Sequence, residues 1–229
     1  EDRMESEELL ERLCPPVRNW FKDKFPDFTE PQKVAIPRIL NGEHLLLCSP
    51  TGSGKTLTAF LTIIDDLVRR SLDGSLPDAV QCVYISPIKA LANDIEKNLL
   101  GPLGEIKERY LPSRAKEIKV GLRTGDTPQS EREKMLRKPP HILITTPESM
   151  GLGLASKRFR PILDQMKWFI IDEMHSLVPT KRGTHLSLSM ALMDSVVSSD
   201  VQRIGISATM EPLDAVAEFL VASDSRESD

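Results

Sequence analysis

The sequence predicts an α/β domain, a mainly parallel sheet with helices on both faces. Three observations lead there. Six short apolar runs stand along the chain, at 45–48, 80–85, 118–123, 141–145, 168–171 and 203–206, and helix-like segments separate most of them. Runs that are apolar almost throughout suit strands buried on both faces by crossover helices. A glycine-rich stretch joins the first run to the helix-like segment after it, and a small polar motif closes each of the other runs. In a parallel sheet the C-terminal strand ends share one rim, and that rim is where such folds bind ligands.

Composition sets outer bounds. The chain has 229 residues, 40% hydrophobic and 28% charged. That is enough for one large domain with a sizeable core. No apolar run reaches membrane-spanning length, and no signal-peptide pattern opens the chain. Cys14, Cys48 and Cys82 are scattered, with no C-x-x-C spacing. Such a set fits a reducing cytosol and offers no cysteine metal site, so a cytoplasmic protein is expected. The net charge of −4 lacks the basic excess of a phosphate-coating protein. It leaves room for a partner gripped by backbone amides and hydroxyls. The missing initial Met and the polar tail at 223–229 suggest a piece of something longer.

In chain order, 5–13 reads as an acidic helix stopped by Pro15-Pro16. Trp20, Phe21, Phe25 and Phe28 cluster as expected core, with an adenine contact left open for Phe25 or Phe28. Thr29 is an expected N-cap, with Pro31 in the first turn of a helix that Asn41-Gly42 ends. Gln32 on that helix can both donate to and accept from an adenine edge. The alternative is a solvated helix residue.

Next comes Ser49-Pro50-Thr51-Gly52-Ser53-Gly54-Lys55-Thr56, between the first strand and a helix at 57–70. A glycine-rich turn there aims backbone N–H groups at one point, and the helix dipole adds positive potential, which makes a phosphate cradle. Lys55 would reach the outer phosphates, and the Thr56 hydroxyl would help hold Mg²⁺. The full pattern has Gly at its first position, where this chain has Ser49. Further helices are expected at 88–100, 128–137, 184–197 and 212–221.

Asp172-Glu173 directly follows the apolar run at 168–171. Two adjacent acids at a buried strand end are costly without a cation. Asp172 is the expected second Mg²⁺ holder, and Glu173 would orient or deprotonate the attacking water. His175, Ser207 and Thr209 are candidates to couple this turn to the rest of the rim, although a packed turn histidine would look the same.

Together these motifs resemble the first RecA-like domain of a superfamily 2 helicase of the DExH type, a P-loop NTPase fold. The resemblance spans roughly residues 16–221. Gln32 looks like the Q motif, residues 49–56 motif I, 86–91 motif Ia, 145–148 motif Ib, 172–175 motif II and 207–209 motif III. Ser86-Pro87-Ile88-Lys89-Ala90-Leu91, Arg123-Thr124-Gly125-Asp126-Thr127-Pro128 and Lys181-Arg182-Gly183-Thr184-His185 are similar to the large-helicase-related (Lhr) proteins. The likeness implies an ATP- and Mg²⁺-dependent translocase on single-stranded nucleic acid, DNA in preference to RNA, often with a 3′ tail and linked to repair. Carried over, it assigns the sugar–phosphate backbone to Pro87, Lys89, Thr124, Gly125, Thr145, Thr146 and Glu148. Hydroxyls, small residues and helix N-termini make such contacts without reading bases. Thr145-Thr146-Pro147 also reads as a helix cap. Arg123, Lys89 and Arg182 are single charges that solvent could equally hold.

The likeness divides the chain into an N-terminal extension at 1–15, a RecA-like domain at 16–222 and a tail at 223–229. The tail would lead to a second RecA-like domain, of which this sequence holds nothing, so the chain alone is expected to bind nucleotide, as a monomer, and hydrolyse almost none. Three other functions stay open: an RNA helicase or remodeller, an ATPase acting on protein partners, and a nucleotide-gated binding module.

Overall fold

The computed structural model describes residues 3–48, 54–87, 95–173 and 200–208. They fall into two compact units. One comprises 1–43, 53–77 and 91–118, the other 44–52, 78–90 and 119–229.

The second unit holds the sheet. Its strands are β1 (Leu45–Cys48), β2 (Cys82–Ile85), β3 (Val120–Arg123), β4 (Ile142–Thr145), β5 (Trp168–Ile171) and β6 (Gln202–Ser207). They lie in the order β1-β6-β5-β2-β4-β3, and every neighbouring pair is parallel. All six expected runs are strands. β2, β4 and β6 are buried at every position; β2 and β4 are accordingly apolar almost throughout, whereas β6 opens on Gln202 and Arg203, both buried. β3 forms one edge and is half-exposed, with Leu122 49% accessible. Gly121 in β3 lies against Pro140, whose ring a Cβ would meet at 2.9 Å. One sheet face carries Val83, Ile85, Leu143, Phe169 and Ile171, packed with Met150, Leu154 and Leu163 from the helical turns between β4 and β5. Two helices of this unit are α6 (Gln129–Arg137) and α7 (Pro147–Leu154).

The first unit is helical. It contains α1 (Ser6–Arg12), α2 (Pro15–Lys24), α3 (Glu30–Leu40), α4 (Lys55–Asp73) and α5 (Gly101–Arg109). Pro15 and Pro16 do more than end α1. They occupy the first turn of α2, where a missing N–H is harmless. Phe21 of α2 stacks on Phe28 at 4.1 Å between ring centroids, and Trp20, Phe21 and Phe28 are core, with Phe25 half-buried beside them. Pro37 sits inside α3 and cannot bond the Lys33 carbonyl one turn back. The Met4 N–H donates to that carbonyl at 3.1 Å instead.

The ends of α4 are set by Gly54 and Gly74, both left-handed, so it runs past the expected 57–70 at each end. The helix expected to stop at Leu100 continues. A π-helical turn, Glu96–Leu100, runs directly into α5. Pro102 falls in the first turn of α5, and a Cβ at Gly101 would press on the Glu96 carbonyl at 2.9 Å. Residues 88–94 and the helices expected at 184–197 and 212–221 lie outside the described residues. No described helix is long and apolar enough to cross a membrane.

Candidate nucleotide and nucleic-acid site

Parallel pairing puts all six C-terminal strand ends on one rim. Cys48 pairs with Ser207, Ile171 with both Gly205 and Ile85, Ile85 with Thr145, and Thr145 with Arg123. The motif-bearing turns after β5, β2, β4 and β3 therefore leave the sheet side by side.

Asp172 stands at the middle of this rim. It is only 5% exposed, and its N–H continues the ladder by donating to the Ile85 carbonyl at 2.8 Å. Both carboxylate oxygens accept hydrogen bonds. The Glu173 N–H donates to Oδ1 at 2.7 Å, and the Tyr84 hydroxyl donates to Oδ2. Glu173 is half-buried and has a φ of +53°, uniquely positive among the described non-glycine residues. A left-handed glutamate is strained, and such strain concentrates at functional turns. Ser207 lies next to this turn in the order of strands and is 2% exposed. His175 and Thr209 lie outside the described residues.

Of the phosphate loop, Ser49, Pro50, Thr51, Gly52 and Ser53 are likewise outside the described residues. Gly54 is the N-cap of α4, at φ +86°. Lys55 begins the helix and is half-buried; Thr56 is 6% exposed. The first turn carries no acidic side chain, so the helix brings none of its own to the positive end of its dipole. Hydroxyl and carboxylate oxygens, as at Thr56 and Asp172, are donors of the kind Mg²⁺ takes, alongside phosphate oxygens and retained waters. Among the described residues no cluster of three or more His, Cys, Asp or Glu converges as a metal cage.

Gln32 is buried at 6% exposure, so the solvated alternative fails. It completes a capping box: its Oε1 accepts from the Thr29 N–H at 2.9 Å, and its own N–H donates to the Thr29 hydroxyl at 3.3 Å. Its side-chain NH₂ is the end left to meet a base edge.

The residues assigned to a nucleic-acid strand divide by exposure. Thr145 is 1% exposed and donates to the Arg123 carbonyl at 2.7 Å. Thr146 is 2% exposed and caps α7, accepting from the Ser149 N–H at 3.3 Å. Both hydroxyls thus have partners within the protein, and Pro87 is buried. Gly125 and Glu148 are exposed and Thr124 is half-exposed. The Thr124-Gly125 turn is braced, with the Thr124 N–H on the Thr127 hydroxyl at 2.8 Å and Arg132 Nη2 on the Thr124 carbonyl at 2.9 Å. Lys89 is outside the described residues.

Arg123 is no solvated charge. Its guanidinium lies 4.7 Å over the Phe159 ring and donates to the Ser149 carbonyl at 3.1 Å. Burial, with a smaller push from Arg132, lowers its pKa from the ordinary arginine value. Gly153 makes this possible, since a Cβ there would run into Arg123 and the Phe159 ring. Sequence reasoning missed Tyr84 and Arg132. The one available signal for Tyr84 was a hydroxyl in an otherwise aliphatic strand.

Comparison with known proteins extends this picture. Residues 29–217 match the family model described as DEAD/DEAH box helicase. The ATP-dependent helicase Lhr-Core of Methanothermobacter thermautotrophicus is 52% identical over 217 residues, which are 94% of this chain and 25% of that protein. The Lhr helicase/uracil glycosylase of Escherichia coli is 43% identical over 218 residues, 93% of this chain and 14% of that protein. The chain thus spans about a quarter or less of these relatives. Among solved structures, Mycobacterium smegmatis helicase Lhr bound to ssDNA and AMP-PNP aligns with a TM-score of 0.81 at 43% identity, covering 93% of this chain and 27% of that one. DEAD-box helicase Mss116 bound to ssRNA and UDP-BeF shares the fold, with a TM-score of 0.76 at 20% identity over 96% of this chain and 44% of that one.

Proposed function

The chain belongs to the DEAD/DEAH box helicase family, and from that premise we propose that it is the ATP-binding motor domain of an Lhr-like helicase that moves along single-stranded nucleic acid, DNA in preference to RNA. The observation that carries this reading is Asp172: a buried carboxylate at the end of a central strand, held from both sides, with Glu173 turned out of the strand just after it.

In this mechanism the turn at residues 49–54 and the N-terminus of α4 cradle the phosphates, and Lys55 pairs with the β- and γ-phosphates. Gln32 presents its NH₂ to adenine. The Thr56 hydroxyl and the Asp172 carboxylate would hold Mg²⁺, which when bound would supply positive charge to offset the charge that builds on the transferred phosphate. Glu173 orients the attacking water and takes its proton. Ser207, His175 and Thr209 pass the state of the nucleotide along the rim to the turns after β2, β3 and β4. There Lys89, Gly125, Thr124 and Glu148 meet the strand, with Thr145, Thr146 and Pro87 shaping the grip. A second RecA-like domain in the same polypeptide closes over the nucleotide and carries the rest of the track.

The test is steady-state ATPase of the full-length protein, alone and with single-stranded DNA or RNA. Stimulation by DNA above RNA is expected, and Glu173→Gln should keep nucleotide binding while lowering turnover at least 100-fold. Stimulation by RNA alone would move the reading to an RNA remodeller. Turnover that depends on Lys55 but ignores both strands would replace the nucleic-acid track with a protein partner.

A further inference from the structure

We propose that Tyr84 is a positioning residue for Asp172, and that its phenol hydroxyl fixes the carboxylate in the orientation that receives Mg²⁺–nucleotide. This rests on the reading of Asp172 as a holder of that ion.

The argument begins with the strand register. Tyr84 on β2 pairs with Ile170 on β5 and with Ile144 on β4, and Ile170 pairs with Ile204 on β6. Residues level across parallel strands share a face, so Tyr84 stands in a row of isoleucines. All three are at most 3% exposed, and Tyr84 itself is 1% exposed. A phenylalanine would fill that row, whereas a buried hydroxyl is unfavourable unless it meets a partner. Asp172 lies on the same face, one strand period beyond Ile170. Strands lie ~4.7–4.9 Å apart and two residues advance roughly 6.6 Å along one, a diagonal within reach of an aromatic side chain. The tyrosine ring crosses the diagonal, and its hydroxyl donates to Asp172 Oδ2.

The consequence is orientational. The Glu173 N–H holds Oδ1 from the chain that follows. With Tyr84 on the other oxygen, the carboxylate cannot turn about its terminal bond without losing a donor. The donor comes from β2, the strand that leads into Ser86-Pro87. The same strand therefore orients the nucleotide side of the rim and begins a turn on the nucleic-acid side. Partners behind a metal-holding carboxylate are typically worth 10–100-fold in metal affinity or activity.

Tyr84→Phe keeps the ring and removes one oxygen. The experiment is AMP-PNP binding to the full-length protein by calorimetry, across a Mg²⁺ titration and in EDTA, with Asp172→Asn beside it. A thermal melt shows that each variant is folded. For Tyr84→Phe we expect the Mg²⁺ half-saturation point to rise about tenfold, with affinity in EDTA unchanged. With Mg²⁺ raised to compensate, kcat should recover. A Tyr84→Phe titration superimposed on wild type, while Asp172→Asn is shifted, would overturn the role of Tyr84 and leave Asp172 in place. Affinity lost equally with and without Mg²⁺ would overturn it too, as general packing. If neither variant moved the Mg²⁺ titration, the reading of Asp172 would fail, and the proposal with it.

Discussion

Gly54 opens α4 at φ +86°, and a Cβ placed there would meet no atom of the described residues within 4 Å. The demand for glycine is therefore one of backbone conformation, since left-handed geometry costs an L-residue about 1–2 kcal/mol. Glu173 bears that same cost at φ +53° with its side chain in place. Opposite substitutions should then move stability in opposite directions. Gly54→Ala should lower the unfolding free energy by about 1–2 kcal/mol. Glu173→Gly should leave it unchanged or raise it by up to about 1 kcal/mol, because relief of strain outweighs glycine's extra chain entropy, while ATP turnover is lost. Urea denaturation checks both. A clear loss of stability in Glu173→Gly would mean that Glu173 is held for its packing and that its left-handed backbone stores nothing for the reaction.

At the scale of elements, α2 shows what local sequence can and cannot reveal. Its N-cap is Cys14, which makes no side-chain cap bond. The cap comes from α4, where Asp65 Oδ1 accepts the Cys14 N–H at 2.6 Å and Oδ2 accepts from Arg69 Nε at 2.9 Å. Burial, and then the adjacent Asp65 charge, push the Cys14 thiol up to about 12. An unfolded thiol ionises near 9. Between those values the unfolded chain sheds a proton that the folded one keeps, so stability present below pH 9 is lost as pH rises toward 12. Urea denaturation at pH 8 and pH 10 should show a larger loss for wild type than for Cys14→Ser, and equal losses would remove Asp65 and burial as its cause. Nothing near Cys14 in sequence announces this cap, since its partner lies 51 positions away. The Thr29 N-cap was legible because it stands directly before its helix, whereas Gln32's half of the capping box was not read. The central strands β2, β4 and β5 were legible because burial on two faces leaves a nearly continuous apolar run. Tyr84, and Arg123 over Phe159, were not, because strand register and tertiary packing decide those contacts. The continuation into α5 went unread because a π-helical turn, which no local residue pattern announces, carries the chain into it.

For the whole molecule, the question is how much of a motor one such chain contains. The sheet order brings the turns of β5, β2, β4 and β3 to one rim, so residues assigned to nucleotide and to nucleic acid leave neighbouring strands. Coupling between them needs no long path within the sheet. Turnover needs more, because charge developing on the transferred phosphate calls for cationic donors aimed at it. The donors assigned on this chain are Lys55 and the α4 N-terminus. The cation that a second domain would insert, an arginine finger, is worth ~10³–10⁵ in rate. The chain spans 25% of Lhr-Core, which leaves ample length for that domain in a protein of the same plan. The expected outcome is that residues 1–229 expressed alone bind ADP or AMP-PNP, lose that binding in Lys55→Ala, and hydrolyse ATP at least 1000-fold more slowly than the full-length protein with single-stranded DNA. Nucleotide binding and turnover measured on the same preparation separate the two steps. Robust hydrolysis by the isolated chain, abolished by Lys55→Ala, would place every catalytic cation within these residues and remove the need for a second domain in the chemical step.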